Sequence, residues 1–407
     1  MASSSNTADS AAGAAVAAPA QRFRPAAVIG ASGALIGAVA LVAGPYLSFR
    51  PNRVVDGVTS TGLEAFGTTG WLLLAAWLLA GALVFVVPGK RTALARGLLG
   101  AAILAGSLWA SGVAAADYAS AEGAIARTSF GWSFYASLLA LFLVQNAAME
   151  ESPGMLARAA VIWSDVLVVV ALAASGALGE LGIAREFSLA RNVFLREFRV
   201  HLFYALGATV GAIVIGVPLG IAAARNRRVE TPVMGALNLG QVFPALAFVG
   251  LMMPVFGALG RNVAPLKSIG VAGIGWAPVF VVLLVYALYP VVRNTIAAIR
   301  ALDPGVLDAA RGVGMGQWRL LAEVELPLGF PVVLAGVRIA LVQSTAGAVI
   351  AAFVGGGGLG TIMFFGLEQT SMDLVLVGVL PIVALALVFD TGLRGVERLA
   401  GGTGGAA

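Results

Sequence analysis

Apolar runs long enough, or nearly long enough, to cross a bilayer recur along the chain. They lie at about 26–44, 70–87, 97–116, 131–148, 159–179, 202–224, 233–256, 271–292, 328–353 and 374–393. In hydrocarbon every backbone N–H and C=O must find a partner inside the protein, so such a chain folds as a bundle of spanning helices. The expectation is an all-α, polytopic membrane bundle of about ten transmembrane helices. Of the 407 residues 59% are hydrophobic and 11% charged, about half the charge of a soluble domain. Segment 70–87 is short, and 159–179 carries Asp165.

Composition removes several functional classes. The chain has no cysteine and one histidine, so thiolate chemistry, disulfides and a histidine metal cluster are excluded. A net charge of +5 and a pI near 10 invite a nucleic-acid reading. In a chain of spans, basic residues instead mark cytoplasmic loops, and no nucleic acid partner is expected. Starting inside, the cytoplasmic segments collect Arg22, Arg24, Lys90, Arg91, Arg96, Arg158, Arg225, Arg227, Arg228, Arg293, Arg300, Arg311, Arg319, Arg394 and Arg398. Fewer fall outside, so both termini are expected in the cytoplasm.

In chain order, residues 1–24 are Ala- and Ser-rich and read as a disordered tail, as do 399–407. Residues 25–179 form an accessory five-span region. Residues 180–200, with Phe187, Phe194 and Phe198 among Arg185, Arg191, Arg196 and Arg199, read as an external amphipathic helix at the membrane surface. Residues 201–398 form the second five spans, interrupted by a polar loop at 293–327.

That loop contains the most informative stretch, Asp303–Pro327. Its charges are too costly for hydrocarbon, so it lies in water between two spans. Asp303 can cap a short helix with Pro304 in its first turn. Gly312, Gly314 and Gly316 supply a turn. Gln317 to Val324 form a second short helix, which Leu326-Pro327 is expected to end.

The stretch resembles the coupling loop of ABC importer permeases. That loop reads Glu-Ala-Ala, three residues, Gly, nine residues, Ile-x-Leu-Pro. Here Asp308, Ala309, Ala310, Gly314, Val324, Leu326 and Pro327 stand at the matching positions, with Asp for Glu and Val for Ile. Beyond the loop, Leu239 to Ala247 resembles the Gln-Thr-Ile-Pro-Ser-Leu-Ala segment of glycine betaine and choline permeases. The matches continue through Val285 to Pro290, Pro331 to Arg338, and Gly355 to Gly360. The added five-span region resembles the longer, Yeh-type osmoprotectant permeases.

The resemblance implies a MetI-like permease core in a bacterial plasma (inner) membrane. The chain would be a transport subunit and not an enzyme. It would bind no cofactor, with ATP and Mg used by a separate ABC ATP-binding subunit docked on the loop. A second permease subunit, identical or related, would complete the path among membrane lipid. An external or periplasmic substrate-binding protein would deliver an osmoprotectant such as glycine betaine or choline.

The residues carry their own readings. Pro244 and Pro254 remove backbone hydrogen bonds within an apolar run. Gln241 either satisfies a freed carbonyl or faces substrate. Phe243, Phe248, Trp276 and Tyr286 are candidates to line a path for an organic cation. Tyr289 fits an interfacial belt. Gln343, with Ser344 and Thr345, either bonds between helices or lines the path. Asp165 either forms a substrate or proton site, pairs with a neighbouring helix, or reaches the cytoplasmic interface. Asp390 and Arg394 are spaced to pair, and His201 reads as interfacial. Gly355 to Gly360 fits GxGxxG but has no βαβ context, so it reads as an external turn. No P-loop occurs. The alternatives are an ion-coupled secondary transporter built as five plus five spans, or an ABC permease for another small solute such as an amino acid. An intramembrane enzyme finds no paired constellation.

Overall fold

A computed structural model of the chain describes residues 25–401 except 54, 87–89, 124 and 153. The expected tails at 1–24 and 402–407 lie outside the described residues, whereas 399–401 close the last helix. The chain divides into two compact units, one up to Leu181 and one from Gly182. Nine described helices are long and apolar enough to cross a membrane, by length and composition.

The first unit runs α1 (Pro25–Ala43), β1 (Leu47–Arg50), β2 (Val58–Ser60), α2 (Gly62–Phe66), α3 (Thr68–Val86), α4 (Lys90–Glu122), β3 (Arg127–Phe130), α5 (Trp132–Glu151) and α6 (Met155–Ala174). Small residues let its helices approach closely. A Cβ on Gly33 would lie 2.8 Å from the Ala140 carbonyl, and Gly37 abuts the indole of Trp77. Trp77, Leu41, Tyr46 and Leu47 are buried at the centre of this unit. Two polar pairs lie inside the bundle: Gln145 donates to Asp165 at 2.9 Å, and Arg96 pairs with Glu151. Asp165 therefore takes the pairing role among its readings.

The strands form an antiparallel sheet in the order β2-β1-β3. The sequence reading did not anticipate it. Strands of three or four residues offer no usable period-two pattern.

The second unit contains α7 (Gly182–Arg225), α8 (Arg227–Val242), α9 (Ala245–Asn262), α10 (Ala264–Ser268), α11 (Trp276–Arg300), α12 (Pro304–Gly312), α13 (Gln317–Leu320), a π-helical turn (Leu321–Glu325), α14 (Leu326–Gly347), a 3-10 segment (Ala348–Val354), α15 (Leu359–Glu368) and α16 (Met372–Gly401). Glycines seat α7 on α11: a Cβ on Gly220 would meet Thr295 at 2.6 Å. Four expectations change here.

Residues 180–200 are not a separate surface helix. From Gly182 they continue unbroken into the span at 202–224 as α7. No proline or glycine interrupts positions 183–206, so nothing separates this stretch from the span, and α7 runs on through Pro218 to Arg225. Ile183, Phe194 and Phe198 pack against Leu359, Ile362 and Leu374.

The run 233–256 is not one span. It breaks between α8 and α9 at Phe243-Pro244, and Phe243 takes an extended φ of −67° and ψ of 134°. A residue before proline is pushed out of the helical region. Pro254, by contrast, is absorbed within α9.

Leu326-Pro327 does not end the second loop helix. The chain passes from α13 through the π turn into α14, with Pro327 in the first turn of α14. A wider π turn just before the proline accommodates the missing N–H and the ring.

His201 is not interfacial. It is 0% exposed and bonds to Thr345. An isolated histidine beside an apolar run carries no signal of a partner 144 positions away.

Candidate functional site

The loop between α11 and α14 is built from local chemistry. The Asp303 carboxylate accepts from Gly305 N at 2.7 Å, and Pro304 opens α12. After α12 the chain turns at Gly314, where φ is +87°. Gly314 N donates to the Arg311 carbonyl at 2.9 Å, and Met315 N to that of Ala310 at 3.2 Å, closing the helix end.

The named loop residues then separate by environment. Ala310 is buried and Val324 and Leu326 are half-buried, whereas Asp308, Ala309, Gly314 and Pro327 are exposed. Asp308 pairs locally with Arg311 at 2.9 Å, and Arg319 with Glu323 at 3.1 Å. Beside them Val313 and Trp318 are 76% and 82% exposed. A large apolar pair projecting from a polar loop marks an interaction surface.

Both feet of this loop are tied to other helices by ion pairs that sequence reasoning missed. At the entry, Arg300 on α11 makes a two-pronged pair with Glu230 on α8, at 2.8 and 2.7 Å. The same guanidinium reaches the Ala224 and Ala223 carbonyls near the end of α7, at 3.3 and 3.4 Å. It thus satisfies carbonyls that the last turn of a helix leaves open. The hydrogen bond from Arg300 holds the Glu230 carboxyl below its ordinary range. At the exit, buried Glu325 accepts from Arg225, the last residue of α7, at 2.6 Å.

Further along α14, Arg338 bonds Asp390 at 2.8 Å and Glu397 at 2.9 Å, both on α16. Arg394 also reaches Asp390, at 2.8 Å, as its spacing of four suggested. The sequence signal for the longer-range pairs is an arginine just past an apolar run, as at Arg225 and Arg300, or inside one, as at Arg338. Which acid it meets is set by the fold.

The broken span brings several candidate path residues together. Gln241 donates to the Tyr286 carbonyl at 3.1 Å, and the Tyr286 hydroxyl donates to the Phe243 carbonyl. Gln241 thus takes the carbonyl-satisfying role of its two readings, and Tyr286 caps the carbonyl just before Pro244. Phe243 and Phe248 rings lie 5.7 Å apart, and Phe248 meets Tyr286 edge-on at 6.4 Å. The result is an aromatic corner around a backbone break, with no acid among Gln241 to Phe248 or at Tyr286.

Trp276 does not join this corner. It starts α11, about 15 Å along the helix from Tyr286, and packs with Phe203 and Phe280. Gln343 lies half-buried on α14, next to buried Ser344 and Thr345. Tyr289 packs among Ala223, Leu237 and Ile296 and accepts from Arg293 at 3.2 Å.

Comparison with known proteins places these features. Residues 216–400 match the family described as binding-protein-dependent transport system inner membrane component. Residues 27–184 match the N-terminal domain of the ABC transporter permease YehY. Over 190 residues the chain is 38% identical to the osmoprotectant import permease protein OsmW of Salmonella typhimurium, covering 47% of this chain and 83% of that one. It is 34% identical over 197 residues to the carnitine transport permease protein OpuCB of Listeria monocytogenes, covering 48% and 83%. It is 32% identical over 198 residues to the glycine betaine/carnitine/choline transport system permease protein OpuCB of Bacillus subtilis, covering 49% and 84%. A chain of the inward-facing MetNI methionine ABC transporter covers 51% of this chain and 96% of its own length, with a TM-score of 0.44 and 19% identity. The chain belongs to the binding-protein-dependent transport system inner membrane components and is a transmembrane permease subunit of an ATP-driven ABC importer.

Proposed function

We propose that this permease imports an osmoprotectant bearing a quaternary ammonium group, such as glycine betaine, choline or carnitine. The aromatic corner of Phe243, Phe248 and Tyr286 at the α8–α9 break is the observation that carries this reading. A quaternary ammonium is permanently charged and sheathed in methyl groups. Aromatic faces attract it, while a fixed anion would hold it too tightly for release. Because the Tyr286 hydroxyl is engaged by Phe243, the tyrosine offers its ring rather than a polar head. Support also comes from the relatives, whose names specify osmoprotectant, carnitine, glycine betaine and choline transport. The ion-coupled carrier considered from sequence gives way to the family assignment.

In this reading an ATP-binding subunit docks on the α12–α13 loop around exposed Asp308, Ala309, Val313 and Trp318. ATP and Mg belong to that subunit, and this chain binds neither. A second permease subunit completes the path, and an external binding protein supplies the solute. The chain sits in the bacterial inner membrane with both termini cytoplasmic. The experiment is uptake by the complete reconstituted system. ATP-dependent accumulation of labelled glycine betaine, choline or carnitine is expected. Movement of an amino acid with no response to these solutes would refute the substrate class and leave the family assignment intact.

A further inference from the structure

The glycine run after α14 and the single histidine are left unexplained by docking and by the aromatic corner. From Ala348 the chain tightens into the 3-10 segment, and Gly355, Gly357 and Gly358 then take φ of 69°, 77° and 90°. This folds the chain back on itself. A Cβ on Gly360 would lie 2.5 Å from the Val349 carbonyl, and one on Gly378 of α16 would lie 2.8 Å from Met363 N. With ten residues, α15 is about 15 Å long, half the thickness of a bilayer core. It is a half-span that begins against Val349, just past the end of α14, and against Gly378 in the second turn of α16, and it packs along α16.

Opposite the glycines, α7 presents Glu197, His201 and Tyr204, spaced so that one helix face carries all three. Each is at most 4% exposed, and each holds one backbone group. The Tyr204 hydroxyl donates to the Gly356 carbonyl at 2.7 Å. Gly358 N donates to the Glu197 carboxylate at 2.7 Å. His201 Nε2 lies 3.0 Å from the Thr345 carbonyl, so that nitrogen carries the proton. Arg196 holds the other Glu197 oxygen at 2.9 Å. The glycines are shaped to this grip: a Cβ on Gly356 would come 2.7 Å from the Tyr204 hydroxyl, and one on Gly357 would come 2.9 Å from Glu197. Irregular backbone at membrane depth must have its polar groups satisfied. Here one helix face does so at the point where the chain turns from α14 into α15.

The geometry points to Glu197, His201 and Tyr204 as a clasp that seats the start of α15 against α7 and keeps the outer side of this bundle closed. The positive-φ glycines are its hinge. With the clasp released, α15 and α16, packed through Gly366 and Gly378, move away from α7 together. The inference rests on the membrane orientation proposed above, but its test needs neither solute nor ATP.

The cysteine-free chain makes that test direct. Ile362, buried on α15 among residues of α7 and α16, is replaced by cysteine in the assembled complex. Its reaction with a membrane-impermeant maleimide added outside is then timed. Tyr204→Phe or Glu197→Gln should raise the rate about tenfold, the population shift expected from one lost hydrogen bond. A cysteine at Ala287, buried on α11, should stay unreactive in the same variants. Tyr204→Phe removes one hydroxyl and no charge, so it carries the test alone if Glu197→Gln fails to accumulate. An unchanged rate at Ile362→Cys, or an equal rise at Ala287→Cys, would overturn the clasp. An uptake assay that moves no betaine while Ile362→Cys responds as expected would remove the substrate reading only.

Discussion

Gly314 shows what one residue can impose. Nothing lies within 4 Å of where its Cβ would be, so the position has room for a side chain. The constraint is the backbone, held at φ +87°, a conformation that costs an ordinary L-residue about 1–2 kcal/mol and a β-branched residue more. Gly314→Val is therefore expected to insert normally but to lose transport and to retain less ATP-binding subunit on purification. Gly314→Asn, which tolerates left-handed geometry better, should keep most of both; wild-type uptake by the valine variant would refute the role given to this turn. At the aromatic corner, Tyr286→Ala removes both the ring and the cap on the Phe243 carbonyl. Tyr289→Ala opens a packed site near α8 and removes the acceptor for Arg293, leaving the Phe243 carbonyl capped. Uptake of labelled betaine should fall further in the first, by about tenfold, the upper end of what one lost hydrogen bond costs; equal effects would remove Tyr286 from the path. Features of this kind were legible in sequence when their cause is local. The Asp303 cap, the Gly314 turn and the Asp390–Arg394 pair each depend on partners within a few residues. His201 was not, because its partner lies in another helix.

At the scale of elements, α8 connects the docking loop to the aromatic corner. Its first turn holds Arg300 through Glu230, and its last residue precedes Phe243. A push on the loop can therefore reach the break at Pro244 through one rigid helix. Glu230→Arg should lower transport per ATP hydrolysed about fivefold while the ATPase stays bound, and adding Arg300→Glu should restore part of the loss by re-forming the pair. If ATPase binding and transport fell together, or the double swap rescued nothing, α8 would not be the connection. The pH response has a definite sign. Arg300 depresses the Glu230 carboxyl, so the pair is complete above the ordinary carboxylate value of 4.5 and is lost only as the pH falls through the lower folded value. Coupling measured from neutral pH down to that value should not change through this pair. The break at Phe243-Pro244 has a visible cause in Pro244, yet the apolar run alone read as continuous. Pro254, with the same chemistry, stays inside a helix. Proline chemistry does not by itself say which site breaks, since neighbours such as Gln241 and Tyr286 must be in place to take up the exposed groups.

At the scale of the whole molecule, hydrophobic patterning read the class correctly because a bilayer imposes length and polarity on every span. It was silent on what happens inside that envelope: the half-span α15, the unbroken α7 and the small sheet of the first unit. Apolar composition is the same for a helix that crosses fully, stops halfway or carries on beyond the membrane. Orientation is likewise argued from charge, because arginines gather at the ends of α7, α11 and α16 and in the loop before α14. With no native cysteine, single substitutions can test sidedness without background. Thr59 on β2 and Ser188 near the start of α7 are exposed, as is Ala309 on α12. In sealed right-side-out vesicles, an impermeant thiol reagent should label Thr59→Cys and Ser188→Cys directly, and Ala309→Cys only after permeabilisation. The charge argument predicts this pattern because moving the loop outside would carry Arg300, Arg311 and Arg319 across with it. Labelling of Ala309→Cys in intact vesicles would invert the topology and place the proposed ATPase-docking loop on the wrong side of the membrane.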